Sequence, residues 1–414
     1  MATEQQHGER LRHRAAPTAF YAVIPALALG AFLVRGVLHE FHGNASALFY
    51  FGDAWLDGGA LPRDPLVRKG PGYDGQFYYR IARDPFLPLA RSGLGSSTRP
   101  APGIDTPAYR YRRIAYPLAA RLAALGTTDG LVWSFPLVSV LGIWLGVFST
   151  SRLFETFGWQ RWWGAAYALL PGIVFSASRN LCEGLAIALV SAGLLALVSK
   201  RTATAIGLFA LAHLAHETTV LVSIGCLVHA LWRRRPGDAA PYLLPIAVTL
   251  LWVAAVAAAF PPGLASLLSP SGSEGLGIPG AGIAHKLRWL VDPEHAAPAY
   301  AYLPRRGRFW VQEVLLVPPI LLALGVLAKA AWKREAQTWI TGLLVSLFVL
   351  ALGDAVWRDA ASYARVTSLA LLLAVCSVAE APDLVGYAFL ASLPLGFVAA
   401  LGWCADSWRG WMLT

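Results

Sequence analysis

Along the chain, apolar stretches of about 15 to 22 residues alternate with short polar, often basic, connections. A membrane-crossing helix needs roughly 17–25 mostly apolar residues. Runs of that kind fall at Thr18–Leu38, Gly130–Ser151, Trp162–Ser178, Glu183–Ser199, Ala239–Phe260, Phe309–Lys329, Thr338–Leu352, Val366–Ala379 and Leu384–Trp403. The stretch Thr202–Trp232 carries a polar patch at its middle, His213, His216, Glu217, Thr218 and Thr219, with basic residues at both ends. Lys200 and Arg201 precede it and Arg233, Arg234 and Arg235 follow it. Under the positive-inside rule both ends lie in the cytoplasm, so the stretch reads as two short helices with an outward corner at His216–Glu217.

The pattern therefore predicts an all-α polytopic membrane protein of about eleven spans, N-terminus inside. Residues 1–17 form a cytoplasmic tail and 18–38 the first span. Residues 39–129 make a large extracytoplasmic loop with amphipathic helices, and 130–260 a block of spans. A second outer loop runs over 261–308, further spans over 309–403, and a tail over 404–414. Arg152, Arg161, the Lys200/Arg201 pair, residues 233–235 and Lys333/Arg334 all fall inside on this path. The segment SPSGSEGLGIPGAG in the second loop reads as a mobile connector, since its glycines match no phosphate-loop spacing.

Composition agrees. The 414 residues are 56% hydrophobic and 14% charged, where soluble proteins carry about 25% charge, and the mean hydropathy is +0.52. Such a chain cannot cover itself with water-facing residues. The net charge of +10 suits cytoplasmic loops and anionic lipid, and gives no reason to invoke nucleic acid. Four scattered cysteines, Cys182, Cys226, Cys376 and Cys404, lack the spacing of a disulfide framework or zinc ribbon. Asn44-Ala45-Ser46 has a glycosylation-sequon pattern whose meaning depends on compartment.

Acidic groups near a membrane core cost roughly 2.5–3.5 kcal/mol each and call for a reason. Asp53, Asp74, Asp105, Glu183, Glu217, Asp354 and Asp359 all fall on the outer side of the path, with Arg179, Arg358 and Arg365 at the same level. The densest signal is Gly72-Tyr73-Asp74-Gly75-Gln76-Phe77-Tyr78-Tyr79-Arg80, a carboxylate between glycines that let a ligand approach the backbone. Tyr73 and Phe77 fall four apart on the helix expected here, an aromatic face suited to a sugar ring. An amphipathic helix lying in the interface is the bland alternative. Next comes Asp105-Thr106-Pro107-Ala108-Tyr109-Arg110-Tyr111-Arg112-Arg113, leading to Tyr116 and Pro117. Arginines interleaved with tyrosines suit a phosphate at headgroup depth. Headgroup anchoring without catalysis is the alternative there. The segment from Ile114 to Gly126 is too short to span and reads as interfacial or re-entrant. His213 and His216 lack the HExxH spacing and read as a polar helix corner.

The Gly72–Pro85 and Asp105–Ala119 segments resemble a family of bacterial polytopic proteins of cell-surface glycopolymer formation, themselves similar to GT-C glycosyltransferases and distantly to PIG-V type mannosyltransferases. Tyr73-Asp74 takes the place of that type's Trp-Asp, and Tyr116-Pro117 that of its Pro-containing aromatic stretch. Glu183 matches an acidic residue opening a later span, His216-Glu217-Thr218 an Arg-Glu-Thr corner, and Tyr363-Ala364-Arg365 a late Tyr-x-Arg element. Tyr in place of Trp, and the missing early acidic pair unless Asp53 contributes, leave the base open between Asp74 and Asp53.

The resemblance implies an inverting transferase using a polyprenyl-phosphate sugar on the extracytoplasmic face of the bacterial cytoplasmic membrane, with a glycan or lipid acceptor. Asp74 or Asp53 would be the base. Arg110, Arg113 and Arg365 would clamp phosphate, and Tyr73, Phe77 and Glu183 would meet the sugar. Gln76, Asp105, Tyr109, Tyr116, Arg179, His216, Glu217 and Tyr363 complete the expected substrate contacts. Nothing in the sequence requires a cofactor, and a divalent metal is compatible without being called for. The rivals are a lipid-linked-glycan flippase, which would spread polar residues through the midplane, and a non-catalytic scaffold of surface-polymer assembly.

Overall fold

A computed structural model describes residues 2–56, 61–87, 103–260, 275–291, 306–334 and 339–411. Among them the chain is almost entirely helical. The elements in order are α1 Ala2–Glu40, α2 Gly75–Arg83, α3 Pro107–Arg110, α4 Ala115–Ala123, α5 Leu131–Thr156, α6 Pro171–Ser178, α7 Glu183–Val198, α8 Thr202–Ala215 and α9 Val220–Trp232. They continue with α10 Pro236–Ala259, α11 Ala281–Val291, α12 Arg306–Lys333, α13 Trp339–Leu350, α14 Asp354–Arg358, α15 Ala360–Val366, α16 Ser368–Glu380 and α17 Leu384–Trp411. A two-residue parallel ladder, Phe51–Gly52 on Val67–Arg68, pins the first loop back on itself.

Among the described residues five helices are long and apolar enough to cross a membrane: the Thr18–Glu40 part of α1, with α5, α10, and the Gly307–Lys333 and Leu384–Gly410 parts of α12 and α17. The pair α15 and α16, bent by 44° at Thr367, makes a sixth if counted as one span. Their outward faces are apolar, as Phe20, Leu27, Leu251 and Val398 show, each more than half exposed. Lipid is the solvent that tolerates such faces, and helices satisfy their own backbone groups within it. The architecture is that of a polytopic membrane protein.

The shorter apolar helices α7, α8, α9 and α13 have 16, 14, 13 and 12 residues. The expected hairpin is present: α8 ends at Ala215, a tight turn covers Glu217–Thr219, and α9 leaves at Val220. Its corner closes on itself. His213 is bonded by Thr219 Oγ1 at 2.9 Å and Ser223 Oγ at 2.8 Å, and His216 Nδ1 by Thr218 Oγ1 at 2.7 Å.

Two expectations are corrected. The run Trp162–Ser178 is not one helix but a 3-10 turn over Arg161–Tyr167 and the eight-residue α6, because Pro171 cannot donate the bond that would join them. The connector in the second loop is also not free where it is described. Gly277 N–H donates to Ala351 O at 2.8 Å, Gly353 N–H to Gly275 O at 2.8 Å, and Gly280 N–H to Leu350 O at 2.7 Å. Residues 269–274 of that connector lie outside the described residues.

Candidate functional site

The tripeptide Tyr73-Asp74-Gly75 sits where the first loop docks on the helix ends. Gly72 is held at φ +69°, and a Cβ there would meet Tyr50 O at 2.4 Å. At Gly75 a Cβ would stand 2.3 Å from Arg179 O. These glycines are thus used by the protein's own backbone, which corrects the expectation that they leave room for a ligand. Gln76, fully buried, braces the same loop: its Oε1 accepts from Gly52 N–H at 3.1 Å and its Nε2 donates to Pro71 O at 2.7 Å.

The helix begins at Gly75, so Tyr73 lies before it and does not share a helical face with Phe77. The two rings part. Tyr73 turns toward Tyr50 and the Arg179 and Arg365 guanidiniums, whereas Phe77 packs under Arg110 at 4.5 Å and against Trp55. The aromatic face expected from the i,i+4 spacing does not form.

Asp74 takes a place among cations. Arg110 Nη1 is 2.8 Å from Oδ1, and Arg113 Nη1 and Arg365 Nη1 are 3.9 and 4.0 Å from Oδ2. These arginines come from the first loop and from α15, more than 250 residues apart in sequence. Each holds a second carboxylate. Arg110 forks onto Asp105 at 2.8 and 2.9 Å, Arg113 onto Glu217 at 2.6 and 2.8 Å, and Arg365 reaches Glu183 at 2.6 Å. Arg113 also donates to the Tyr78 hydroxyl at 3.0 Å and to that of Tyr109, whose ring it faces. His216 Nε2 stands 3.8 Å from Glu183. Three arginines, each at the end of a different helix or turn, thereby converge on one carboxylate.

Burial works to raise the Asp74 carboxyl, but Arg110, Arg365 and Arg113 more than offset it and hold the group below the usual carboxylate range. It is ionised at neutral pH and about one-fifth exposed. Burial pushes the Tyr73 and Tyr109 phenols up to about 12, so both are neutral. Tyr73 donates to Asp359 Oδ2 at 3.1 Å and accepts from Arg365 at 3.0 Å.

The remaining predicted residues divide. Asp53 is exposed and accepts from Gly70 N–H at 2.8 Å, away from the cluster. Tyr116 is buried beneath it, bonded to Ser139 at 2.9 Å and edge-on to Tyr78 and Phe135. Tyr363 donates to Glu313 at 2.8 Å and stacks on Trp357, within a separate buried group that includes the Lys286–Glu313 ion pair. Tyr78, inside the Gly72–Arg80 segment, and Asp359, among the acids noted above, were not singled out as site residues, yet both take part in these groups. Glu313 was missed altogether, although an acid within the apolar run WVQEVLLVPP is a signal in itself.

Cys182, Glu183 and His216 place one ligand atom each within 4.8 Å of one another, all buried. A cation there would have to take Glu183 from Arg365 in the presence of a second guanidinium, a charge environment poorly suited to it. The cavity lined by Glu183, His216, Thr218 and Arg365 holds no more than about one water. A sugar therefore enters only if the surrounding side chains move. Comparison with protein-family models, with curated proteins and with solved structures found no match to this chain.

Proposed function

We propose that the chain is an inverting glycosyltransferase of the bacterial cytoplasmic membrane, GT-C-like, moving a sugar from a polyprenyl-phosphate donor to an envelope glycan or lipid acceptor on the extracytoplasmic face. An eleven-span path belongs to this reading, with the shorter and broken helices completing the passes that the long ones begin. The observation that carries it is the position of Asp74: one ionised, partly exposed carboxylate amid three guanidiniums, at the end of an apolar bundle.

The chemistry fits that set. The acceptor oxygen attacks the anomeric carbon as the carbon–oxygen bond to the lipid phosphate breaks. The bonding pair leaves with the phosphate oxygen, and the acceptor proton passes to Asp74. A carboxylate held below its ordinary range is a weak base, adequate when the acceptor proton acidifies only late in the transition state. Fixed guanidiniums stabilise the charge growing on the departing phosphate without reorganising. They also bridge carboxylates in the resting protein, so they stand ready in position. The rings of Tyr73, Tyr109 and Phe77 lie against the guanidiniums of this centre and help to hold them in place.

The test is transfer of label from a panel of polyprenyl-phosphate sugars by protein in liposomes, run beside Asp74→Asn. Transfer with release of lipid phosphate, lost in a folded Asp74→Asn, supports the reading. Passage of labelled lipid across the bilayer without transfer replaces it with transport.

A further inference from the structure

Arg110, Arg113 and Arg365 each have carboxylate partners within 4.0 Å. Arg179 does not. It is 3% exposed, at the C-terminal end of α6, and its Nε and Nη1 have no hydrogen-bond partner. Four aromatic rings surround it: Tyr73 at 4.7 Å, Trp403 at 4.8 Å, Tyr50 at 5.2 Å and Phe175 at 5.7 Å. The next residue, Asn180, is also fully buried with both amide atoms unpaired, held at φ +51°.

A buried guanidinium with unfilled donors is expensive. Rings offset part of that cost through their negative faces, but they fill none of the in-plane N–H positions. An isolated buried cation ordinarily recruits a carboxylate, as its three neighbours here have done. Its position matters as much. Tyr73 has both Arg179 and Arg365 over its ring, their Cζ atoms 4.7 and 5.1 Å from its centre, and it adjoins Asp74 in the chain. The uncompensated charge thus sits one ring away from the proposed reaction centre.

We propose that Arg179 is the phosphoryl receptor of the site: it takes the phosphate of the lipid donor as its missing anion, while Arg110 and Arg113 serve chiefly to hold Asp74, Asp105 and Glu217 in place. This rests on the proposed transferase reading and reassigns the clamp within it. The aromatic walls explain the choice of a lipid phosphate over a free one. Tyr50, Phe175 and Trp403 surround the cation with apolar surface that an isoprenoid chain can contact and an inorganic ion cannot. Entry requires Tyr73 or Trp403 to swing aside, because the guanidinium is closed over in the resting structure.

The test is binding, independent of transfer. Farnesyl phosphate, farnesol and inorganic phosphate are titrated into the full-length protein in phosphatidylcholine nanodiscs, for the wild type and Arg179→Met. The expected result is a loss of about 30-fold in farnesyl phosphate affinity with farnesol binding unchanged, the size of a charged hydrogen-bonded contact. Equal loss for both ligands, or no loss, overturns the assignment and leaves Arg179 as a packing residue. Inorganic phosphate binding as tightly as farnesyl phosphate overturns the lipid source. Should Arg179→Met melt early, Arg179→Lys decides the matter: the phosphate-to-alcohol affinity ratio must fall, because an ammonium cannot reproduce the fork. Arg179-dependent binding without any sugar transfer would keep this site while removing the transferase. Transfer unaffected by Arg179→Met would do the reverse.

Discussion

Two buried charge groups lie at the same end of the bundle, and they differ in how completely they are closed. Lys286 of α11 meets Glu313 of α12, at 3% and 0% side-chain exposure, with Tyr363 bonded to the acid and Trp289 covering the ammonium. That group joins α11 to the bundle. The Asp74 group is larger and left ajar: Asp74, Asp105 and Glu217 are each about a fifth to a third exposed, while the arginines beneath them are buried. Buried ion pairs seldom add stability over apolar residues of the same shape. A closed pair therefore speaks of fixing one loop on the bundle, and an open one of something that must be met from outside.

The largest effect that separates the two groups is on activity. Asp74→Asn removes the proposed proton acceptor and should lower transfer by about 100- to 10,000-fold, with a melting temperature lowered less than by the change at Glu313 that follows, because Arg110, Arg113 and Arg365 each keep a second carboxylate. Glu313→Gln should do the opposite. It strands the Lys286 ammonium, costing about 3–5 kcal/mol in stability, read as a lowered midpoint in thermal or denaturant unfolding, and Lys286→Met in the same chain should restore much of it. Arg113→Lys exchanges a fork that grips Glu217 for a point charge. Transfer should drop by about tenfold, with stability changed less than in Glu313→Gln, as paired rate and melting measurements would show.

A smaller effect concerns pH. Because Asp74 is held below its ordinary range, its ionised form and the stability linked to it persist above the unfolded-state value and are lost only as pH falls through the lower folded value. The Asp74-dependent acid limb of the transfer rate should therefore lie below the usual aspartate range. Arg110→Gln should move it upward. A limb that stays put in that variant would separate Arg110 from the base. Smallest of all is Asp238→Asn in the first turn of α10, where Arg235 stands 4.0 Å from Asp238 with both side chains largely exposed. A surface pair is worth about 1 kcal/mol at most, so neither transfer nor melting should change much.

The all-helical, lipid-suited build and the hairpin corner at His216 were legible because lipid demands long apolar runs and breaks them only at polar residues. Setting unusual charges on one side of the predicted path grouped Asp74, Glu183 and Arg365, which do meet, but it did not foresee that Arg110 and Arg113 would pair with Asp74. What the sequence hid is set by backbone packing. Gly72 and Gly75 look like a ligand approach but serve the contacts with Tyr50 O and Arg179 O. The start of α2 at Gly75 separates Tyr73 from Phe77, and no periodicity reports a helix start shifted by two residues. Arg179 was visible as a charge, but its lack of a partner is a property of the folded neighbourhood alone.

The most direct measurement is label transfer from polyprenyl-phosphate sugars by purified protein in liposomes, wild type against Asp74→Asn. The account predicts a glycosylated acceptor with inverted anomeric configuration, stoichiometric release of lipid phosphate, and loss of both in a normally folded Asp74→Asn. Transfer undiminished in Asp74→Asn would contradict it.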